Sequence, residues 1–258
     1  MTDIRNVQVA DGVSFFVPQA QGALFSEIDF IYREIFVERT YMMHGIQLSD
    51  SSRIVDVGAN VGLFSLFVKH EFPDATILAF EPVPATHQAL MKNLDSHGAK
   101  GVDVRRAALG RRHEDRVQFT FYPAIPGNST RYPEQKKVGQ QLAVDQIGQE
   151  AVDRMMAGVE VEAEVHRLSD ELRDWAPDGP VDLLKIDVEG AELEVMEGLD
   201  ARDWHRVQQA VIEVQDLDGR LDAVLAILDA QGFSVTVESA AHLPEVFRYS
   251  MVYATRPS

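Results

Sequence analysis

Apolar and polar positions alternate in two rhythms along this chain. Residues 54–57, 76–80, 102–107, 181–186 and 209–214 are strand candidates, most of them short apolar runs. DLLKI and QAVIEV are almost continuously apolar, as strands buried on both faces are. Between the runs, residues 62–70, 84–97, 189–197 and 218–231 carry apolar residues at helical spacing. Strand alternating with helix predicts a mostly parallel, doubly wound α/β sheet, with ligands at the carboxyl ends of the strands. The tail breaks the rhythm. FSVTVES (233–239) and FRYSMVYAT (247–255) have no helix between them, which predicts an antiparallel edge pair. At the front, Val13–Val17 reads as a short strand and residues 26–45 as one helix, with Ser26 at its start and Gly45 at its stop. Residues 1–50 are therefore read as a strand and helix cap, and 51–258 as the main domain. Within that domain, 122–137 is a loop rich in Pro, Gly and polar residues, and 138–157 is helical. An insertion of this length in a compact domain predicts a lid or substrate loop over 122–157.

Composition narrows the role. The chain has 258 residues, no cysteine and a formal net charge of −17. That length supports a sizeable core. The charge opposes nucleic acid and anionic membrane as partners. Without cysteine there is no disulfide framework and no thiolate metal site. No basic leader with a long apolar stretch is evident, so a soluble cytoplasmic protein is expected.

The first run ends in Asp56 and passes through Gly58-Ala59-Asn60-Val61-Gly62 into a helix. Glycines let a backbone approach a ligand, and a helix start offers free N–H groups. The dinucleotide fingerprint fails, because its later glycine places hold Asn60 and Leu63. The second run ends TILAFEP, which puts Glu81 about 20 residues past the glycine loop, where a ribose-binding acid stands. A nucleoside without a pyrophosphate, carrying a cationic sulfonium, suits such an acidic site: S-adenosylmethionine.

The motifs DVGANVGLFSLF, AFEPVP, AALG and LLKIDVEGAELEVMEGL, in this order and spacing, resemble the FkbM family of S-adenosylmethionine-dependent methyltransferases. DFIYREIFVERTYMMHGI, PGNSTRYPE and VIEVQDLDGRLDAVLAILDAQGF are similar to its branch in polyketide and nonribosomal-peptide biosynthesis. The resemblance spans about residues 25–255. It implies a Rossmann-like class I methyltransferase fold and O-methylation. It also implies that Asp56, Gly58, Asn60 and Gly62 form the cofactor loop, that Glu81 and Pro82 stand at the ribose, and that Ala107, Ala108 and Leu109 lie by the adenine. One position departs: Gln215 stands where the branch often has histidine.

Methyl transfer to oxygen needs alignment and a proton acceptor. Asp187 and Glu189, just past the strand ending near Ile186, are candidates for contact with donor or acceptor, with Lys185 on the same strand face as Asp187. The alternative is that they cap the following helix. Asp216 is the third catalytic candidate. Glu213, Asn128, Ser129, Thr130 and His44 are candidates for the acceptor. Glu192, Glu194 and Glu197 read as a solvated helix face, Tyr32 and Tyr41 as packing, and no metal site is expected. Arg105, Arg106, Arg111, Arg112, Arg116, Lys136 and Lys137 form a basic cluster, read as a solvated face or as a dock for an acidic carrier protein. The acceptor is thus a small-molecule hydroxyl, tethered or free. A sugar hydroxyl, a nicotinamide-dependent oxidoreductase and a silent cofactor-binding module are the rival readings.

Overall fold

The computed structural model describes residues 3–19, 27–239 and 248–257. Ser26 and the first residue of the 247–255 run lie outside them. Seven strands form the main sheet: β3 (Arg53–Val57), β4 (Thr76–Phe80), β5 (Val102–Arg105), β9 (Leu183–Ile186), β10 (Gln209–Gln215), β11 (Ser234–Ser239) and β12 (Tyr249–Thr255). Their order is β11-β12-β10-β9-β3-β4-β5. The five strands from β10 to β5 are parallel, and β12 runs antiparallel to β10 and β11. The tail pair is therefore antiparallel as expected. Of that pair, β11 alone lies at an edge, because β12 is inserted against β10.

Helices cover both faces. On one lie α2 (Leu63–Glu71) and α3 (Pro84–Ser96), meeting Ile54, Ile77, Leu183 and Val211. On the other, α6 (Leu168–Trp175), α7 (Glu192–Glu197), α8 (Ala201–Trp204) and α9 (Arg220–Ala230) meet Val55, Leu78, Leu184 and Ile212. Successive residues of the inner strands face opposite cores, so β4 and β9 are apolar almost throughout, whereas the outer strands β5 and β11 are not.

The front of the chain differs from the single helix expected. An N-terminal hairpin of β1 (Ile4–Ala10) and β2 (Val13–Pro18) precedes it. Asn93 of α3 clamps that hairpin, accepting from Phe16 N at 2.6 Å and donating to Phe16 O at 2.9 Å. Helix α1 (Glu27–Tyr32) then widens into a π-helical turn, Arg33–Val37, and breaks at Arg39, whose φ is 56°. A short 3-10 turn, Thr40–Met42, follows. Phe15, Ile28, Ile35 and Tyr41 join the core on the α2 face of the sheet, and that packing overrides simple helical periodicity.

Two further departures concern the middle of the chain. The strand expected over 102–107 stops at Arg105, and the following Ala108–Leu109 (β6) leaves the main sheet. It joins β7 (Glu114–Phe121) and β8 (Val159–His166) in a small sheet ordered β6-β8-β7. Between β7 and β8, the helical part of the insertion divides into α4 (Lys137–Ile147) and α5 (Gln149–Met155). Helix α7 begins at Glu192, later than expected, because Glu189 and Gly190 both have positive φ.

Candidate active site

Strands β3 and β9 are neighbours from which the chain winds in opposite directions, and open α/β sheets bind ligands outside such a point. Here the carboxyl ends open into a cavity of about 660 Å³, within the ~300–1,000 Å³ of sites for drug-sized ligands. One wall is the loop after β3. Gly58 and Ala59 donate to Phe80 O at 3.1 and 2.9 Å, which lashes the loop to the end of β4. A Cβ on Gly58 would lie 1.8 Å from the carbonyl oxygen of Asp187, and one on Gly62 3.2 Å from Leu90. These glycines serve the close approach of protein to protein, where the sequence suggested approach of a ligand.

Beneath the loop, Asp56 is fully buried between Ser65 Oγ (2.8 Å) and Lys185 Nζ (3.1 Å). Lys185 also donates to Gly58 O at 2.9 Å and lies 3.6 Å from Asp187 Oδ2. Burial would lower the lysine, but Asp56 and Asp187 outweigh it and hold Lys185 above its usual range. Glu81 ends β4 with both oxygens engaged, Oε2 by Asn60 N at 3.0 Å and Oε1 by Val83 N at 2.9 Å. Burial nevertheless pushes its carboxyl up to about 8.

The rest of the cavity comes from segments far apart in sequence. Glu27 and Glu34, one face of the front helix apart by two turns, enter beside the apolar stripe of Ile31 and Ile35. Glu27 accepts from Gly127 N at 3.1 Å and bonds Asn128. Burial raises Glu27 to about 8 and Glu34 to about 7. Tyr41 donates to Asp187 Oδ2 at 3.0 Å. On the far side Glu189 accepts from buried Lys136 and from Tyr249 OH, the latter at 2.9 Å. Among the described residues seven carboxylates line the cavity against Arg131, Lys136 and Lys185. No group among those residues has the geometry of a metal site.

The family profile described as the Methyltransferase FkbM domain matches residues 56–235. The chain belongs to this family. Methyltransferase 1 of Beauveria bassiana is 38% identical over 256 residues, covering 99% of this chain and 100% of that protein. The 31-O-demethyl-FK506 methyltransferase FkbM of Streptomyces tacrolimicus is 39% identical over 221 residues, covering 82% of this chain and 84% of that one. The crystal structure of methyltransferase FkbM from Methylobacillus flagellatus superposes with a TM-score of 0.55 at 17% identity, over 86% of this chain and 47% of that chain. The fold is the Rossmann-like class I methyltransferase fold.

Of the positions expected at the site of this FkbM-family chain, Gly58, Asn60, Glu81, Pro82, Ala107, Ala108, Leu109, Asn128, Ser129, Asp187, Glu189 and Glu213 line the cavity. Asp56 and Gly62 do not. Asp56 lies under the loop in an ion pair with Lys185, and Gly62 ends the loop packed against Leu90. Thr130 is also displaced: its hydroxyl donates to Glu189 O at 2.7 Å and its backbone pairs with Thr120, so it pins the insertion. Asp216 faces away, held by Arg248 at 2.7 Å and by Leu221 N at 3.3 Å. His44 pairs with Glu238 at 2.8 Å and packs on Tyr253, behind β12. Neither Asp187 nor Glu189 caps α7, whose N-cap is Ala191.

Other expectations are corrected by the tertiary contacts. Glu192 is buried against Arg220 and Gly190 N, and burial raises it to about 7. Glu194 accepts from Tyr132 at 2.6 Å and lines the cavity, leaving Glu197 on the exposed face. Tyr41 lines the cavity and is more than packing. The basic cluster disperses, because Arg105 pairs with Glu171, Arg111 with Glu197, and Lys136 is internal. The sequence reading missed Glu27, Glu34 and Tyr249, and it put the buried Lys136 in the basic cluster. For the first two, carboxylates seven apart beside an apolar stripe are the available signal.

The raised acids have a measurable consequence. Glu27, Glu34, Glu81 and Glu192 titrate near 4.5 when unfolded and at about 7 to 8 when folded. Between those values the native state binds more protons, so its stability falls as pH rises. Urea midpoints for the ligand-free protein are expected to drop from pH 5.5 to pH 8.5. A midpoint that rises over that interval contradicts the burial of these carboxyls.

Proposed function

We propose that this protein is an S-adenosylmethionine-dependent O-methyltransferase acting on a hydroxyl of a small secondary metabolite. The observation that carries the cofactor is Glu81. Its carboxyl is fixed by two backbone N–H groups at a strand end, beside the turn at Gly58, with lone pairs left for a ribose diol. The residues present fit the rest of the cofactor. Asn60 Oδ1 is buried without a hydrogen-bond partner, an acceptor suited to a ligand N–H. Ala107–Leu109 offer an apolar shelf, and the excess of carboxylates suits a cation. When bound, the cofactor supplies an electrophilic methyl group on a positively charged sulfur.

The chain's own residues do the remainder. Lys185 and Asp56 hold the loop and the Asp187 side chain in register. Tyr41 fixes one oxygen of Asp187. Residues 1–50 act as a cap and 122–157 as an acceptor-binding insertion, because Phe30, Ile31, Ile35, Ile125, Met155 and Met156 give the cavity its apolar wall. That wall favours a largely apolar acceptor over a free sugar, whose many hydroxyls need partners.

Calorimetric titration tests the reading. Wild type should bind S-adenosylmethionine and S-adenosylhomocysteine in the micromolar range and NADH not at all. Glu81→Ala removes the acceptor of two ribose hydroxyls, at ~0.5–1.5 kcal/mol for each hydrogen bond, so a loss of about tenfold is expected. Unchanged affinity in the variant, or binding of NADH, would defeat the assignment.

A further inference from the structure

At the carboxyl end of β10, Glu213 enters the cavity beside Asp187, each one residue past the paired Ile212 of β10 and Ile186 of β9. Two ionised carboxylates at neighbouring strand ends repel each other, which favours a proton on Glu213. The surroundings explain why it stays there. Glu34 faces the pair from the front segment, and Glu189 and Tyr249 from the opposite side. Tyr41 donates to Asp187. The nearby cation, Lys185, lies closer to Asp56 (3.1 Å) than to Asp187 (3.6 Å). Burial, then Asp187 and Glu34, raise Glu213 well above the usual carboxylate range. A positive charge brought into the cavity works against each of these effects.

Building on the methyl-donor reading above, we propose that Glu213 is the proton acceptor of the reaction. It holds a proton in the ligand-free protein and releases it to solvent when a sulfonium cation enters the cavity. It then takes the proton of the acceptor hydroxyl. In that step the O–H bond breaks toward Glu213, an oxygen lone pair forms the new C–O bond, and the C–S electron pair returns to sulfur. One negative and one positive charge vanish together, leaving a carboxylic acid, a methyl ether and a thioether. Glu213 is thereby a strong base only while the cation is present, which couples proton removal to occupancy of the donor site.

Calorimetry at pH 7 in two buffers of different ionisation enthalpy counts the protons exchanged on binding. S-adenosylmethionine and S-adenosylhomocysteine share the ribose that Glu81 would contact, so any proton lost from Glu81 cancels between them. Wild type is expected to release more protons with S-adenosylmethionine than with S-adenosylhomocysteine, by up to about one. In Glu213→Gln the difference should disappear. Equal release for the two ligands in wild type overturns the proposal without recourse to any variant. A difference that persists in Glu213→Gln also overturns it and assigns the proton elsewhere, Glu34 first. Failure of both ligands to bind wild type overturns the methyl-donor reading and this proposal with it, whereas tight binding with equal proton counts overturns the proposal alone.

Discussion

Replacing Lys185 with alanine is expected to destabilise the protein by about 3–5 kcal/mol, the usual cost of leaving one partner of a buried ion pair alone. Asp56 has no exposure to water, and its other side-chain contact is the neutral hydroxyl of Ser65. The Gly58 carbonyl would also lose its donor. At ~2–4 °C per kcal/mol for a chain of this size, the melting temperature should fall by about 10 °C. The cause is the stranded charge, so Asp56→Asn introduced into the same variant should recover part of the loss. Urea denaturation of the two single variants and the double variant gives the coupling energy. Strict additivity would show that the pair contributes nothing together.

The second large effect is expected at Gly58. An added methyl meets a backbone carbonyl oxygen 1.8 Å away, on a residue whose φ is 78°. Backbone cannot rotate aside as a flexible side chain can. Gly58→Ala must push β3 and β9 apart at the point where they frame the cavity. A loss of about 4 kcal/mol or more is expected, together with loss of cofactor binding. Gly219 provides the control. Its φ is 77°, and a Cβ there would meet nothing within 4 Å. Gly219→Ala should therefore show only the conformational cost, about 1–2 kcal/mol. Similar losses at both positions would mean that the left-handed backbone conformation, and not the contact with Asp187, dictates glycine at residue 58.

These two positions also separate what was legible in the sequence from what was not. Gly58 was recognised as special from a strand–glycine–helix pattern, and Glu81 from its distance along the chain. Both inferences used local rules with a fixed geometric meaning. The reason for glycine at residue 58 was missed, because the obstructing atom belongs to Asp187, more than a hundred residues away. Asp216 and Asp187 looked alike as carboxylates at strand ends. Only the structure turned the first toward Arg248 and the second into the cavity.

The sequence by itself determined the alternation of strand and helix, the parallel sheet with its antiparallel tail, the glycine loop and the family. Those properties follow from periodicity and from motifs whose residues are neighbours in the chain. Tertiary structure alone decided which carboxylates share the cavity and which protonation states burial imposes on them. Glu27, Glu34, Glu81, Asp187 and Glu213 come from the front helix and from the ends of three different strands. Their mutual repulsion and loss of water depend on distances that no single segment encodes.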